Sequence, residues 1–208
     1  MNTSKSLLAC IAATAFLSAC AGAPPAHHIT LDDGRRQPMV GSSTAPSVNV
    51  IRTNVPELID RPQLVLRGEG NQVTLSGQYR WAEPLRQAIP RVIANDLGEL
   101  LDSSRVAALP ADGYNFDFNL TLDVQRLEAV VGQGVDVDVL WRLKHRGGNA
   151  IVGRSSFRQP LEGAAADDPT LVVAQRQALR HVAVEIARAI AASPSFDHTP
   201  LLHSQETP

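Results

Sequence analysis

Residues 115–124 read NFDFNLTLDV, and their alternation decides the fold. Phe116, Phe118, Leu120, Leu122 and Val124 fall on one face, while Asp117, Asn119, Thr121 and Asp123 fall on the other. A period of two with one apolar side is the pattern of a strand buried on one face. The stretch VDVDVLWRLK (135–144) repeats it, with Val135, Val137, Val139, Trp141 and Leu143 together. A tight turn centred on Gly132-Gln133 sets Asp123 opposite Arg142 and Val124 opposite Trp141, matching charge to charge and apolar to apolar. Arg126 then lands on the apolar side, so the first strand either outruns the sheet there or bulges. A third strand, AIVGRSSFR (150–158), follows the turn Gly147-Gly148-Asn149.

Working outward, VNVIR (48–52) alternates as a half-buried strand should. TNVPELIDRP follows as a loop whose two prolines exclude regular pairing. QLVLR (63–67) and NQVTLSGQYR (71–80) flank Gly68 and Gly70 and read as a hairpin. A helix comes next, with Leu85, Ile89, Val92, Ile93, Leu97 and Leu100 at spacings of three and four. Pro84 suits its first turn. Pro90 removes a helical hydrogen bond, so the helix is either bent there or regular only from Pro90 onward. A last helix opens at Asp168-Pro169, with Asp168 as its N-cap. Leu171, Ala174, Ala178, Val182, Ile186 and Ile190 form its apolar stripe, opposed by Gln175, Arg176, Arg180, Glu185 and Arg188. The expected fold class is α+β: an antiparallel sheet with two amphipathic helices packed on one face.

The chain start reads MNTSKSLLACIAATAFLSACAG. Its apolar run, Leu7 to Leu17, is shorter than the roughly 20 residues a membrane span needs but suits a secretory signal. Leu17-Ser18-Ala19-Cys20 resembles a bacterial lipobox, in which the thiol carries diacylglycerol. Cleavage before Cys20 removes Cys10 and leaves one acylated cysteine, so no disulfide forms. A terminus with several acyl chains anchors stably in a bilayer. Ala21 after the cysteine, by resemblance to lipoproteins of Gram-negative bacteria, favours the outer membrane with the domain in the periplasm. The domain organisation read from composition is a signal peptide over 1–19, a lipidated cysteine and flexible tether over 20–46, a folded domain over 47–192 and a disordered tail over 193–208. Within the tether, HHITL (27–31) reads as a short edge strand. The formal net charge of −2 describes neither a nucleic-acid binder nor a polybasic membrane binder.

No residue constellation points to catalysis. Asp136 and Asp138 share a strand face, which a metal site and an ordinary exposed face both allow; alternation favours the exposed face, and Asp117 and Asp123 read the same way. The histidines do not cluster, and no HExxH or Cys/His spacing exists, so neither metal nor cofactor is expected. Gly132-Gln133-Gly134 lacks the strand-to-helix setting of a phosphate cradle and reads as a turn. Gly153-Arg154-Ser155-Ser156 falls within a strand with no glycine after the serine, so it is no nucleophile elbow. GQYRWAEPL (77–85) sits where strand gives way to helix, and its Trp81 either closes the core or faces a partner.

The run VPELIDRPQLV (55–65), followed by YRWAEPL (79–85), resembles the auxiliary lipoproteins of ABC-type and MCE-type transport systems, the family of the paraquat-inducible outer-membrane lipoprotein C. The likeness extends from the lipobox through HHITL, where the family more often has tyrosine before Thr-Leu, to about residue 192. It implies a non-enzymatic, periplasmic α/β domain anchored in outer-membrane lipid through Cys20. Implied partners are an MCE-domain periplasmic protein and the inner-membrane permease of the same system, moving lipids or other hydrophobic compounds. No catalytic residue is carried over. Asp60, Arg61, Pro62, Gln63, Trp81, Glu83 and Pro84 become candidates for a partner surface or a structural corner. Two function classes remain open, a docking component and a periplasmic lipid-binding carrier, and the oligomeric state is open too, a homo-oligomer included.

Overall fold

The computed structural model describes residues 25–34, 36, 40–42, 44–108, 114–161 and 167–193. The signal segment, Cys20 and the tail from residue 194 lie outside the described residues. Eight strands form one sheet: β1 (His27–Ile29), β2 (Val48–Asn54), β3 (Gln63–Arg67), β4 (Val73–Trp81), β5 (Val106–Ala108), β6 (Phe118–Val130), β7 (Gly134–His145) and β8 (Ala150–Gln159). Two helices, α1 (Leu85–Leu100) and α2 (Asp168–Ala191), pack on each other and on the sheet. The architecture is the α+β arrangement expected.

The long strand β6 organises it. One edge of β6 pairs with β7, and β7 with β8, as successive antiparallel hairpins. The other edge takes β2 against Phe118–Asp123 and then β3 against Ala129–Val130, both parallel. β5 and β1 also join in parallel, to β2 and β4. The sheet is therefore mixed, not antiparallel throughout. Antiparallel neighbours announce themselves through short turns, whereas β2 and β6 are separated by two strands, a helix and β5. Lying between β6 and β5, β2 is covered from Val48 through Val50 and is not half-buried.

The β6–β7 register differs from the expected one by one strand period. Asp123 faces Leu140, Trp141 faces Leu122, and Arg142 faces Thr121. Because the slip is even, every apolar residue keeps its face, and hydrophobic patterning alone does not discriminate between the two registers. The irregularity expected at Arg126 is a bulge between Val124 and Arg126. It returns Leu127 and Ala129 to the core side and turns Arg126 outward to face Asp138.

α1 runs from Leu85 with Pro90 inside it and buried. Pro90 has no N–H, so the helix forgoes the bond to the carbonyl of Arg86. On α2 the N-cap is Asp167, which accepts from Thr170 N at 3.1 Å. Asp168, the expected cap, instead accepts a 2.6 Å bond from Ser76 Oγ of β4 and so pins the helix start to the sheet.

The described part of the tether segment belongs to the domain. β1 pairs with Tyr79–Trp81 of β4. Leu31 is 1% exposed in the core, Asp33 bridges to Arg176 at 3.0 Å, and Ser42 N donates to Asp102 O. Gly41 lies so close to the 102–104 backbone that no Cβ fits there. The domain thus begins well before residue 47; Pro/Ser/Thr-rich composition mimics a linker even where a few apolar residues dock.

Candidate functional site

The two sequence blocks that carry the family likeness fold against each other. In the first, Ile59 and Asp60 donate their backbone N–H groups to Pro56 O, winding the loop into a turn. In the second, β4 ends at Trp81 and α1 begins after Pro84, whose side chain offers no cap. Asp60 supplies it from outside, accepting from Arg86 N at 3.2 Å and from the Arg86 guanidinium at 2.7 Å. Its carboxylate thus satisfies an open N–H at the positive end of the helix. Trp81 N donates to Pro62 O at 2.7 Å, Ala82 N donates to Ile29 O, and Gln63 stands opposite Arg80 in the ladder. The blocks co-occur because each completes the hydrogen bonding of the other.

Trp81 itself is 6% exposed and belongs to the core, so the indole points in. Its edge forms part of the wall of a cleft of about 310 Å³, where Asp60, Arg61 and Glu83 meet Arg86 and the two prolines. Glu83 is occupied by the Arg91 guanidinium. Arg61 differs: its Nε–H is buried without a partner, and it forms no ion pair among the described residues. Four of the five charged, amide or aromatic candidates therefore meet in one cleft; Gln63 lies in the adjoining strand instead.

The other candidates are structural. Asp136 and Asp138 lie on the sheet face that carries no helix, held by Arg158 and Arg154 of β8. Those arginine hydrogen bonds keep both carboxyls below the usual range, against a smaller opposing effect of burial. Burial pushes the Asp117 carboxyl up, but bonds from the Ser47 N–H and hydroxyl outweigh it and lower its titration. Ser155 is buried, accepting from Trp141 Nε1 at 3.2 Å and donating to Glu185. Its hydroxyl is engaged with a carboxylate and closed to solvent. Gly132–Gly134 forms the β6–β7 turn, with positive φ at both glycines. Among the described residues no group of three His, Cys, Asp or Glu side chains is placed to hold a metal ion.

One charged cluster was not anticipated. Asp96 of α1 is fully buried and takes two bonds from Arg176, at 2.6 and 2.8 Å, and one from Arg180 at 2.9 Å. Glu99 also pairs with Arg180. Arg176 and Gln175, assigned by periodicity to the solvent side of α2, are both buried. α2 touches the sheet with one flank and α1 with another, so its buried arc is wider than one stripe. The only trace in the sequence is the four-residue spacing of Arg176 and Arg180 against Asp96 and Glu99.

No curated protein matches the chain significantly. Among solved structures, the crystal structure of an uncharacterized protein superposes with a TM-score of 0.59 at 17% identity, covering 80% of this chain and 99% of that one. A Xanthomonas campestris protein of the DUF330 family gives 0.51 at 18% identity, covering 78% and 90%. At these identities the likeness speaks for the fold alone. No helix among the described residues is long and apolar enough to cross a membrane. The model of the ABC-type transport auxiliary lipoprotein component matches residues 30–187, and the chain belongs to that family of transport accessories.

Proposed function

We propose that the chain is a non-enzymatic docking component of an MCE-type or ABC-type system that moves lipids or other hydrophobic compounds between membranes. It is anchored to the outer membrane through acylated Cys20, faces the periplasm, and engages the MCE-domain protein and inner-membrane permease of the same system. The observation that carries this reading is the cleft at the β4–α1 corner. Asp60, Trp81 and Glu83 are consumed in building it, and Arg61 is left with an unanswered buried donor. A rigid rim around one free guanidinium suits protein recognition, since arginine is enriched where partners bind. Docking is favoured over lipid carriage because the apolar faces of both helices are spent against the sheet and each other.

Crosslinking in membranes that contain the MCE-domain protein tests this. Arg61→Ala should leave the melting temperature near wild type and reduce capture of that protein. Cys20→Ala should release the chain from the outer-membrane fraction. Undiminished capture by Arg61→Ala would remove the cleft from the interface, and retention of Cys20→Ala in the membrane would remove the anchor.

A further inference from the structure

Both helices lie on one side of the sheet, and the opposite face is polar along β2, β6, β7 and β8. Four arginine–carboxylate pairs lie on it: Arg67–Glu128, Arg146–Asp117, Arg154–Asp138 and Arg158–Asp136. These pairs cancel. Beyond them the face carries Arg52, Arg126, Arg142 and Lys144, all exposed, against one further carboxylate, Asp123. Arg52, Arg142 and Lys144 form no ion pair among the described residues, and the carboxylates nearest Arg126, Asp136 and Asp138, are already held from β8. The ladder sets Arg52, Thr121, Arg142 and Val152 in one row across four strands, with Lys144 one row beyond. Val152, in the middle of this field, is 71% exposed. The face thus has three positive charges in excess, in a chain whose formal charge is −2. Among the described residues the charges off this face sum to the opposite sign, so the described body is electrically two-sided.

We propose that this helix-free face lies against the anionic phospholipid surface of the membrane to which the chain is anchored, turning the helices and the β4–α1 corner away from it. The inference rests on the anchored reading of Cys20. Six residues lie between Cys20 and His27, seven residue steps and a reach of about 25 Å when extended. That is enough to lay any face down and too little to leave the surface, so the bilayer is present at high effective concentration. Each Lys or Arg near an anionic surface gains a modest attraction that falls off within a Debye length, and the negative remainder of the described body is repelled. Charge complementarity therefore selects one orientation of the tethered body.

The acylated full chain is reconstituted into vesicles of phosphatidylcholine with or without phosphatidylglycerol, the latter carrying a headgroup-level quencher. The mature chain has no free thiol once Cys20 is acylated, so Val152→Cys places a single fluorophore on the proposed face. Val173→Cys, exposed on α2, places one on the other side. With phosphatidylglycerol and low salt the label at position 152 should be quenched and that at 173 spared. The difference should disappear in high salt. Arg52→Glu, Arg142→Glu and Lys144→Glu should each reduce the seated population's equilibrium constant about five-fold or more. Equal quenching at both sites, or quenching at 173 alone, overturns the proposal. So does a label at 152 that stays aqueous on anionic vesicles and is shielded only when the MCE-domain protein is added, which would assign the face to an acidic protein. If the chain fails to float with vesicles at all, the anchor has failed, a result distinct from a wrong orientation.

Discussion

Asp96 and Asp138 are both aspartates clasped by arginine, yet they do different work. Asp96 sits between α1 and α2 with no exposure and three guanidinium bonds. Asp138 sits on the open sheet face beside a largely exposed Arg154. A pair in water exchanges one set of good contacts for another and contributes little. A buried pair has given up its hydration, so each partner is hostage to the other. The lesson is that the charge pattern of a surface and that of an interface are written in the same letters, and burial alone separates them.

The sharpest test of that contrast is Asp96→Ala. It leaves Arg176 buried without its main partner and should cost about 3–5 kcal/mol in urea denaturation. A loss no larger than that from Asp138→Ala would erase the distinction. Asp60→Ala stands between the two extremes, because its carboxylate is partly covered and caps α1 from another loop. Its cost should be about 1 kcal/mol, read from the shift in melting midpoint. A cost near zero would mean water caps the helix equally well.

The smallest effect belongs to the open face. Asp136 and Asp138 titrate lower in the folded chain than in the unfolded one, so any stability they add is complete above the unfolded carboxylate range. It is lost only as pH falls through their lower folded values, below about pH 4. The double variant Asp136→Asn/Asp138→Asn should therefore differ little from wild type at neutral pH, and any difference should shrink both in acid and in high salt. A difference that persists in acid would mean the two carboxylates act through packing.

Much of the fold is legible in the chain because alternation and short turns are local. NFDFNLTLDV and VDVDVLWRLK declared their faces, and the Arg126 irregularity declared the bulge. Parallel partners, by contrast, leave no local signature, which hides the attachment of β2 and β3 to β6. The docking of Leu31 and Asp33 is equally hidden, since a lone apolar residue in a Pro-rich stretch has no period to betray it. At the corner, the sequence brought IDRPQ and RWAEPL together by co-occurrence, while the reason, Asp60 capping a helix that begins with proline, appears only in space. The buried side of α2 was read too narrowly, for periodicity finds the face toward one neighbour and α2 has two. The row of cations on the open face depends on strand pairing, and total charge averages it away.

β1 also has a mechanical meaning. It lies parallel to β4, so its N-terminal end and the C-terminal end of β4 stand at opposite ends of the pair. A pull transmitted from a membrane anchor would arrive at the start of β1 and be resisted through the α1 end of β4. The strands would then be loaded in shear, with their hydrogen bonds sharing the force instead of opening one by one. Behind them, Leu31 in the core and Asp33 on Arg176 act as a second stop. Three paired residues and two side chains thus let tension on the leash reach the body of the domain before the leash peels away.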